Sequence, residues 1–286
     1  MFFGEREHDV AIGARHCVLP SLVLILAAFG AAPVSAQSPE GTPPADFVLL
    51  EENVVDRFVV QRWVRRDAPE VSPAGFCECV TLVYDGGRLV LDLGIDAGIT
   101  TVRALRDVTG DDRAELVVIN YSGGAHCCES TSIYSVEDAG HRPLLSVATG
   151  HCPGELLDLD QDGVAEFRTC DDVFAYEFCA FAFSPMPPVV YAYDRRQGSF
   201  VIATPAFARH LQPRSADDAR AAMNENRDTP SIVRCAALAP AVDLMYLGRL
   251  SDGQRLFRSL YQEADAPDVE QKVLDLLKAS PYWIPQ

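Results

Sequence analysis

The sequence predicts an α+β protein, with a β-rich domain over residues 46–205 and a helical C-terminal unit over residues 206–286. Three observations support this fold class. Short apolar runs are punctuated by glycine and proline at intervals of about eight to twelve residues in the first region. Helix-start signals and apolar faces dominate the second region. An acidic motif occurs twice within the β-rich region, which indicates a repeated unit.

The first 36 residues are expected to be an export signal. Arg15 precedes an apolar run from Ser21 to Ala32, and Val34-Ser35-Ala36 forms a small-residue cleavage site. The run is short and alanine-rich, so we expect no membrane span in the mature chain. Because the extreme N-terminus is acidic, a start further in, at Val10, is the alternative. Residues 37–45 follow as a proline-rich linker, and the predicted location is periplasmic or secreted.

Charge and cysteine content narrow the function classes. The chain has 24 Lys and Arg against 41 Asp and Glu, a net charge of −17. Nucleic-acid binding needs a basic surface, so it is excluded. An even number of cysteines in an exported chain predicts disulfides. Eight follow the signal: Cys77, Cys79, Cys127, Cys128, Cys152, Cys170, Cys179 and Cys235. Adjacent Cys127 and Cys128 are expected to reach different partners, because a ring between them would be strained.

The β-rich domain is predicted from a series of apolar runs. Cys79–Tyr84 and Leu89–Leu93 flank Asp85-Gly86-Gly87, which is typical of a hairpin with a glycine turn. Further candidate strands are 58–64, 116–120, 132–134, 144–147, 167–169, 189–193 and 200–202.

The helical unit is predicted from caps and apolar faces. Ser215–Asp218 and Ser251–Gln254 resemble capping boxes, in which side chains satisfy the free N–H groups of a first helical turn. Two apolar faces at helical spacing follow: Leu256, Phe257, Leu260 and Tyr261, then Val269, Val273, Leu276 and Leu277. The aromatic residues near the end, Tyr282 and Trp283, are expected to pack the tail onto the body.

The duplicated motif predicts two calcium sites. Oxygen-bearing residues fall at positions 1, 3, 5 and 9 of both stretches, and position 7 offers a backbone carbonyl. In the first stretch these residues are Asp107, Thr109, Asp111, Arg113 and Glu115. In the second they are Asp158, Asp160, Asp162, Val164 and Glu166. The second is the stronger candidate, because Gly163 permits a left-handed turn where the first has Asp112. Neither is an EF-hand, because position 12 lacks the required glutamate. The alternative is a pair of acidic turns without an ion.

These motifs resemble the FG-GAP repeat, also called VCBS-like or integrin-α-type. The resemblance covers roughly residues 100–120 and 152–170. It implies calcium held between the strands of a propeller blade, with exposed loops available to a partner. The β region has room for about three blades, whereas propellers have four to eight. The alternatives are a partial propeller, an irregular sandwich or an oligomeric ring. The stretch 120–128 and the later Ser184–Pro188 resemble uncharacterised exported bacterial proteins.

The function predicted from these features is a non-catalytic, calcium-stabilised binding or scaffolding module. Its partner would be a protein or glycan of the cell envelope. An exported hydrolase or redox protein that uses His126, Cys127 and Cys128 is the alternative, with Cys77 and Cys79 as further soft-metal ligands. A third hypothesis is a helical tail that docks a partner through an exposed apolar patch. Structural roles are favoured for His151-Cys152-Pro153, and a solvated turn for Asp171-Asp172.

Overall fold

The computed structural model describes residues 45–285, except 68–70, 73–74, 97, 106, 125–128 and 138–139. The predicted export signal, nearly all of the linker, and the cluster of His126, Cys127 and Cys128 lie outside the described residues. Those described form twelve strands, then four α-helices, which confirms the α+β fold class. None of the helices in this part of the chain combines the length and apolar character needed to cross a membrane.

The strands form three successive four-stranded antiparallel sheets, in which each strand pairs with its neighbours in the chain. Sheet I contains β1 (Phe47–Val55), β2 (Phe58–Arg65), β3 (Cys79–Asp85) and β4 (Arg88–Asp96). Sheet II contains β5 (Ile99–Leu105), β6 (Glu115–Tyr121), β7 (Glu129–Glu137) and β8 (Gly140–Gly150). Sheet III contains β9 (Glu155–Leu157), β10 (Glu166–Cys170), β11 (Pro188–Asp194) and β12 (Ser199–Ile202). The predicted hairpin is β3–β4, and Gly86 and Gly87 both have positive φ there, as a two-residue type I′ turn requires.

Sheet II lies between the other two sheets. On β6, Leu116 and Val118 join an apolar cluster with Phe58 and Val83 of sheet I. The intervening Val117 belongs to a cluster shared with sheet III and the helices. Successive residues of a strand point to opposite faces, so β6 is buried on both. Among the described residues no apolar cluster joins sheets I and III. The described strands therefore pack as three successive sheets.

The helical unit packs on the stack through its most buried helix. The helices are α1 (Ala216–Glu225), α2 (Pro230–Tyr246), α3 (Leu250–Leu260) and α4 (Ala266–Ala279). Ala237, Leu238, Ala241 and Val242 of α2 are fully buried. They share a cluster with sheets II and III and with the two predicted apolar faces, and Tyr282 and Trp283 pack against the same cluster. The predicted packing of the aromatic tail is therefore confirmed.

The two predicted capping boxes have different outcomes. Ser215 caps α1, because its hydroxyl accepts hydrogen bonds from the N–H groups of Asp217 and Asp218. The box at Ser251 is wrong, because α3 begins at Leu250 and Ser251 lies inside the helix. Gly253 explains this arrangement: a Cβ atom there would lie 2.4 Å from the Ala241 carbonyl oxygen. The first turn of α3 is thus fixed by close contact with α2 rather than by a polar cap.

Three disulfides staple the described residues. They join Cys77 to Cys79, Cys152 to Cys170, and Cys179 to Cys235. These pairings confirm the disulfide prediction for six cysteines. They contradict a thiolate metal site at Cys77 and Cys79, since oxidised sulfur does not ligate in that way. None of the six is left to pair with Cys127 or Cys128.

The prediction of a solvated turn at Asp171 is wrong. Asp171 follows β10 directly and is 1% exposed. Its carboxylate accepts hydrogen bonds from the hydroxyls of Tyr246, at the end of α2, and Ser280, just after α4. The backbone N–H of Val173 donates to the other oxygen at 2.9 Å. The chain needs this buried acid to fix the helical unit to sheet III, and nothing in the local sequence distinguishes it from the half-exposed Asp172.

Replacing Asp171 with alanine is expected to destabilise the protein by about 3 kcal/mol or more, because two buried hydroxyls lose their acceptor and each unpaired group costs about 1–3 kcal/mol. Urea unfolding followed by circular dichroism measures the change. The neighbouring Asp172→Ala is the matched control, and we expect it to cost less than about 1 kcal/mol because its contact with His151 Nδ1 is partly exposed. Equal effects of the two substitutions would contradict the assigned role of Asp171.

Candidate metal centres

The two acidic stretches occupy equivalent places in two sheets. Loop A, residues 107–115, joins the first and second strands of sheet II. Loop B, residues 158–166, joins the first and second strands of sheet III. The repeat found in the sequence therefore corresponds to successive sheets. In sheet I the corresponding connection is the tight turn at Asp56 and Arg57, which has no room for a loop of this kind.

Both loops have the same backbone conformation. Position 4 has positive φ in each, 74° at Gly110 and 64° at Gln161. Position 6 does too, 65° at Asp112 and 90° at Gly163. Asp tolerates this left-handed conformation better than most residues do, so the first loop folds without a glycine at position 6.

The aspartate at position 1 organises each loop from within. In loop A, Asp107 Oδ1 accepts from the N–H of Asp111 at 3.0 Å, and Oδ2 accepts from Asp112 at 2.6 Å. In loop B, Asp158 Oδ1 accepts from Asp162 at 3.0 Å, and Oδ2 accepts from Gly163 at 3.1 Å. These bonds turn the N–H groups inward and bend the chain around the carboxylate.

The remaining carboxylates also have equivalent partners. At position 5, Asp111 accepts from the N–H of Arg113, and Asp162 accepts from the N–H of Val164. The side chain of Asp162 is thus engaged by the backbone of its own loop. In both loops the backbone N–H of position 7 is thus hydrogen-bonded to the carboxylate of position 5.

The glutamate at position 9 closes each loop. Glu115 Oε2 accepts from the N–H of Val108 at 2.8 Å. Glu166 Oε2 accepts from the N–H of Leu159, also at 2.8 Å. Each glutamate starts the strand that follows its loop and reaches back to position 2. One carboxylate oxygen of each glutamate therefore fixes the beginning of its loop through a hydrogen bond.

Three carboxylates converge in each loop. Oxygens of Asp107, Asp111 and Glu115 lie within 4.8 Å of one another in loop A, and those of Asp158, Asp160 and Glu166 do so in loop B. Most of the predicted ligands are therefore brought together. Asp162 is outside the loop B group. Thr109 is buried, with its hydroxyl 3.5 Å from Asp107 Oδ1.

Buried oxygens without partners point to a cation. Glu115 is fully buried, and its Oε1 has no hydrogen-bond partner among the described residues. Asp160 Oδ1 is likewise buried and unpartnered. An unpaired buried carboxylate oxygen is costly, and coordination of a cation removes that cost. These atoms, with the all-oxygen donor set, fit a hard divalent ion.

The electrostatics of the loops agree with this. Burial, together with the nearby Asp111 and Asp107 carboxylates, raises the pKa of Glu115 to about 7, although the hydrogen bond from Val108 N–H lowers it. Burial and three aspartates raise the pKa of Glu166 in the same way. Burial opposes but does not overcome the four N–H groups that lower the pKa of Asp107. In each loop the glutamate therefore lies among negative charges, and a bound cation would offset the repulsion between them.

A second polar site lies at the end of sheet III. His151 Nδ1 is 2.6 Å from Asp172 Oδ2, and the ring of Phe181 packs against the imidazole at 4.5 Å. His151 lines a cleft of about 440 Å³ together with the Cys152–Cys170 disulfide. Cys152 has the structural role predicted for it. The contact between His151 and Asp172 was not predicted from the sequence. The Cys152–Cys170 disulfide, whose pairing cannot be deduced from the sequence, brings the two residues close together.

Comparisons with known proteins give a limited match. The chain is 30% identical over 112 residues to a probable thylakoid lumen protein of Synechocystis sp., which covers 36% of this chain and 32% of the relative. This chain therefore spans about a third of the length of that curated relative. No protein-family model matches the chain. No solved structure matches it significantly.

Proposed function

We propose that this protein is an exported, non-catalytic module whose β-domain is stabilised by Ca²⁺ in loops A and B, in the manner of FG-GAP or VCBS-like repeats. The observation that carries the proposal is the buried Glu115. Its Oε1 has no hydrogen-bond partner among the described residues, and one of its carboxylate oxygens lies within 4.8 Å of oxygens of Asp107 and Asp111. A fold that leaves such a group unpaired is destabilised, and a divalent ion removes that cost.

Calcium is favoured over other cations by the donor set. Each loop offers only oxygen ligands, which excludes soft metals such as copper that prefer sulfur or imidazole. Several ligands come from a short flexible segment, which suits the larger and less demanding Ca²⁺ better than octahedral Mg²⁺. At position 3, loop B has the carboxylate of Asp160 where loop A has the neutral Thr109, and Gly163 eases the left-handed turn at position 6. We therefore propose that loop B binds Ca²⁺ more tightly than loop A.

Export and partner binding are parts of the same proposal. Three disulfides favour an oxidising compartment, and similarity to a lumen protein supports a location across a membrane from the site of synthesis. A protein or glycan of the envelope would bind an exposed surface. Leu49, Val54 and Ile95 are 46%, 73% and 64% exposed, and strand pairing places them on the outer face of sheet I.

The tail-docking hypothesis has less support. Among the large apolar side chains exposed in the described residues, the helical unit contributes only Ile284, at 36%. Sheet I contributes four, because Leu50 joins the three named above. We therefore assign the partner surface to sheet I rather than to the helices.

Calcium removal tests the proposal. We expect dialysis against EDTA to lower the melting temperature by several degrees, and millimolar Ca²⁺ to restore it, because an ion that binds only the folded state stabilises it by about 2.7 kcal/mol per site at a hundredfold excess over Kd. Differential scanning calorimetry gives the shift. Equal concentrations of Mg²⁺ serve as the control and should restore less. A melting temperature that ignores both EDTA and Ca²⁺ would refute the proposal.

A further inference from the structure

Loops A and B touch each other directly. The backbone N–H of Ala165, at position 8 of loop B, donates to the carbonyl oxygen of Val108, at position 2 of loop A, at 3.2 Å. Val108 is buried, so this bond is shielded from water. A single hydrogen bond therefore joins two segments that belong to different sheets and lie 57 residues apart in the numbering.

Side chains reinforce the junction at Gly110. A Cβ atom on Gly110 would lie 3.2 Å from Cγ2 of Val164 and 2.8 Å from Nη2 of Arg195. Val164 occupies position 7 of loop B, and Arg195 follows β11 in sheet III. The turn of loop A is thus packed under an apolar group of loop B, and a guanidinium group lies against it.

Val108 links the contact between the loops to the glutamate of each loop. Its N–H holds Glu115 Oε2, and its C=O holds the N–H of Ala165, which directly precedes Glu166. The glutamates of the two loops are therefore linked through Val108, by one hydrogen bond to the Glu115 side chain and one backbone hydrogen bond to Ala165. Moving Glu115 toward an ion would shift the Val108 amide, and hence the start of β10.

We propose that loops A and B bind their cations as a coupled pair, so that an ion in either loop raises the affinity of the other. This inference rests on the proposed function, because it presupposes that both loops take Ca²⁺. Filling one loop fixes its glutamate and so restrains Val108, the residue whose backbone is hydrogen-bonded to both loops. The second ion then orders fewer groups, which is the source of positive cooperativity.

Electrostatic repulsion opposes the coupling. The first dication reduces the negative charge that attracts the second, and Arg195 adds a positive charge beside loop A. Between exposed sites this repulsion is screened as ionic strength rises, since the Debye length falls from about 10 Å at 0.1 M to about 3 Å at 1 M salt. The mechanical link through Val108 is not screened. Coupling should therefore be more positive in 1 M KCl than in 0.1 M KCl.

The experiment is a thermodynamic cycle with CaCl₂, measured by calorimetry on the whole chain in 1 M KCl. Asp160→Asn disables loop B and leaves loop A; Glu115→Gln disables loop A and leaves loop B. The coupling factor is the product of the two wild-type association constants divided by the product of the two single-site constants. We expect a factor of at least about five, within the usual range of 5- to 150-fold. If Glu115→Gln does not fold, Asp111→Asn replaces it.

Val164→Ala tests the route of the coupling. This substitution keeps the backbone of position 7 but removes the contact on Gly110, so we expect the factor to fall at least twofold when the cycle is repeated in its presence. Asp217→Asn, on the exposed face of α1, is the control for loss of one charge and should leave the factor unchanged.

The outcomes separate the two proposals. Two ions bound with a coupling factor of one would overturn this inference and leave calcium stabilisation intact. A factor above one that Val164→Ala does not reduce would overturn the route through the loop contact. Absence of Ca²⁺ binding to the wild-type protein, checked by native mass spectrometry, would overturn the proposed function and this inference together.

Discussion

Glu115→Gln is expected to remove at least half of the stabilisation that Ca²⁺ gives, while leaving the calcium-free protein as stable as the wild type or more so. The carboxylate is fully buried and one of its oxygens has no partner, so in the absence of an ion it costs the fold about 1–3 kcal/mol. Glutamine keeps the hydrogen bond from Val108 N–H and removes the charge. It also removes the ligand that the cation needs.

Both effects are measured at one pH by paired urea titrations, one in EDTA and one in millimolar Ca²⁺. The exposed Glu263→Gln is the matched control, since it carries the same change of charge without a buried partner. For that variant we expect the wild-type response to calcium. The hypothesis fails if Glu115→Gln retains the full response, or if it destabilises the calcium-free protein by more than about 1 kcal/mol.

Removing the Cys179–Cys235 disulfide by double substitution with alanine is expected to destabilise the protein by about 4 kcal/mol, since it opens a loop of some 57 residues in the unfolded chain. This bridge joins the segment after β10 to helix α2. Its loss should therefore loosen the helical unit before the sheets. Hydrogen exchange read by mass spectrometry distinguishes the two regions, and urea unfolding gives the total change.

The Cys77–Cys79 bridge is the matched control. Its double substitution with alanine removes the same number of sulfur atoms, but the two cysteines have a sequence separation of only 2. We therefore expect that variant to lose about 1–2 kcal/mol of stability. A loss for that variant equal to the loss at Cys179 and Cys235 would contradict the chain-entropy explanation. So would uniform exchange across sheets and helices after removal of the longer bridge.

Strands with strong apolar runs were predictable, whereas three edge strands, β1, β5 and β9, were not. Of the strands missed, β1 has only Phe47 buried and exposes most of its length, and β9 has three residues. Neither shows the alternation that marks a half-buried strand. Helix α2 was not predicted as an element for the opposite reason. It is buried over most of its surface and contains Pro240, so it lacks an amphipathic stripe.

The loops were predictable at the level of which oxygens they carry. Spacing alone identified Asp107, Glu115, Asp158 and Glu166, and the structure places them in two converging groups. Spacing does not reveal that Asp162 bonds the backbone of its own loop, nor that Val108 bridges the loops. The Asp162 bond is a local side-chain-to-backbone contact within loop B. The Val108 bond depends on how sheets II and III pack, and packing is a property of the whole core rather than of a local segment.

The succession of neighbouring pairings along the chain bears on biosynthesis. Every strand finds its partner in the strand made just before or after it, so each meander can close while later residues are still being translated. The Asp171 carboxylate is different, because one of its donors, Ser280, is synthesised 109 residues later. A nascent polypeptide would therefore acquire its sheets vectorially, whereas the buried bond between Asp171 and Ser280 could form only after helix α4 had been made.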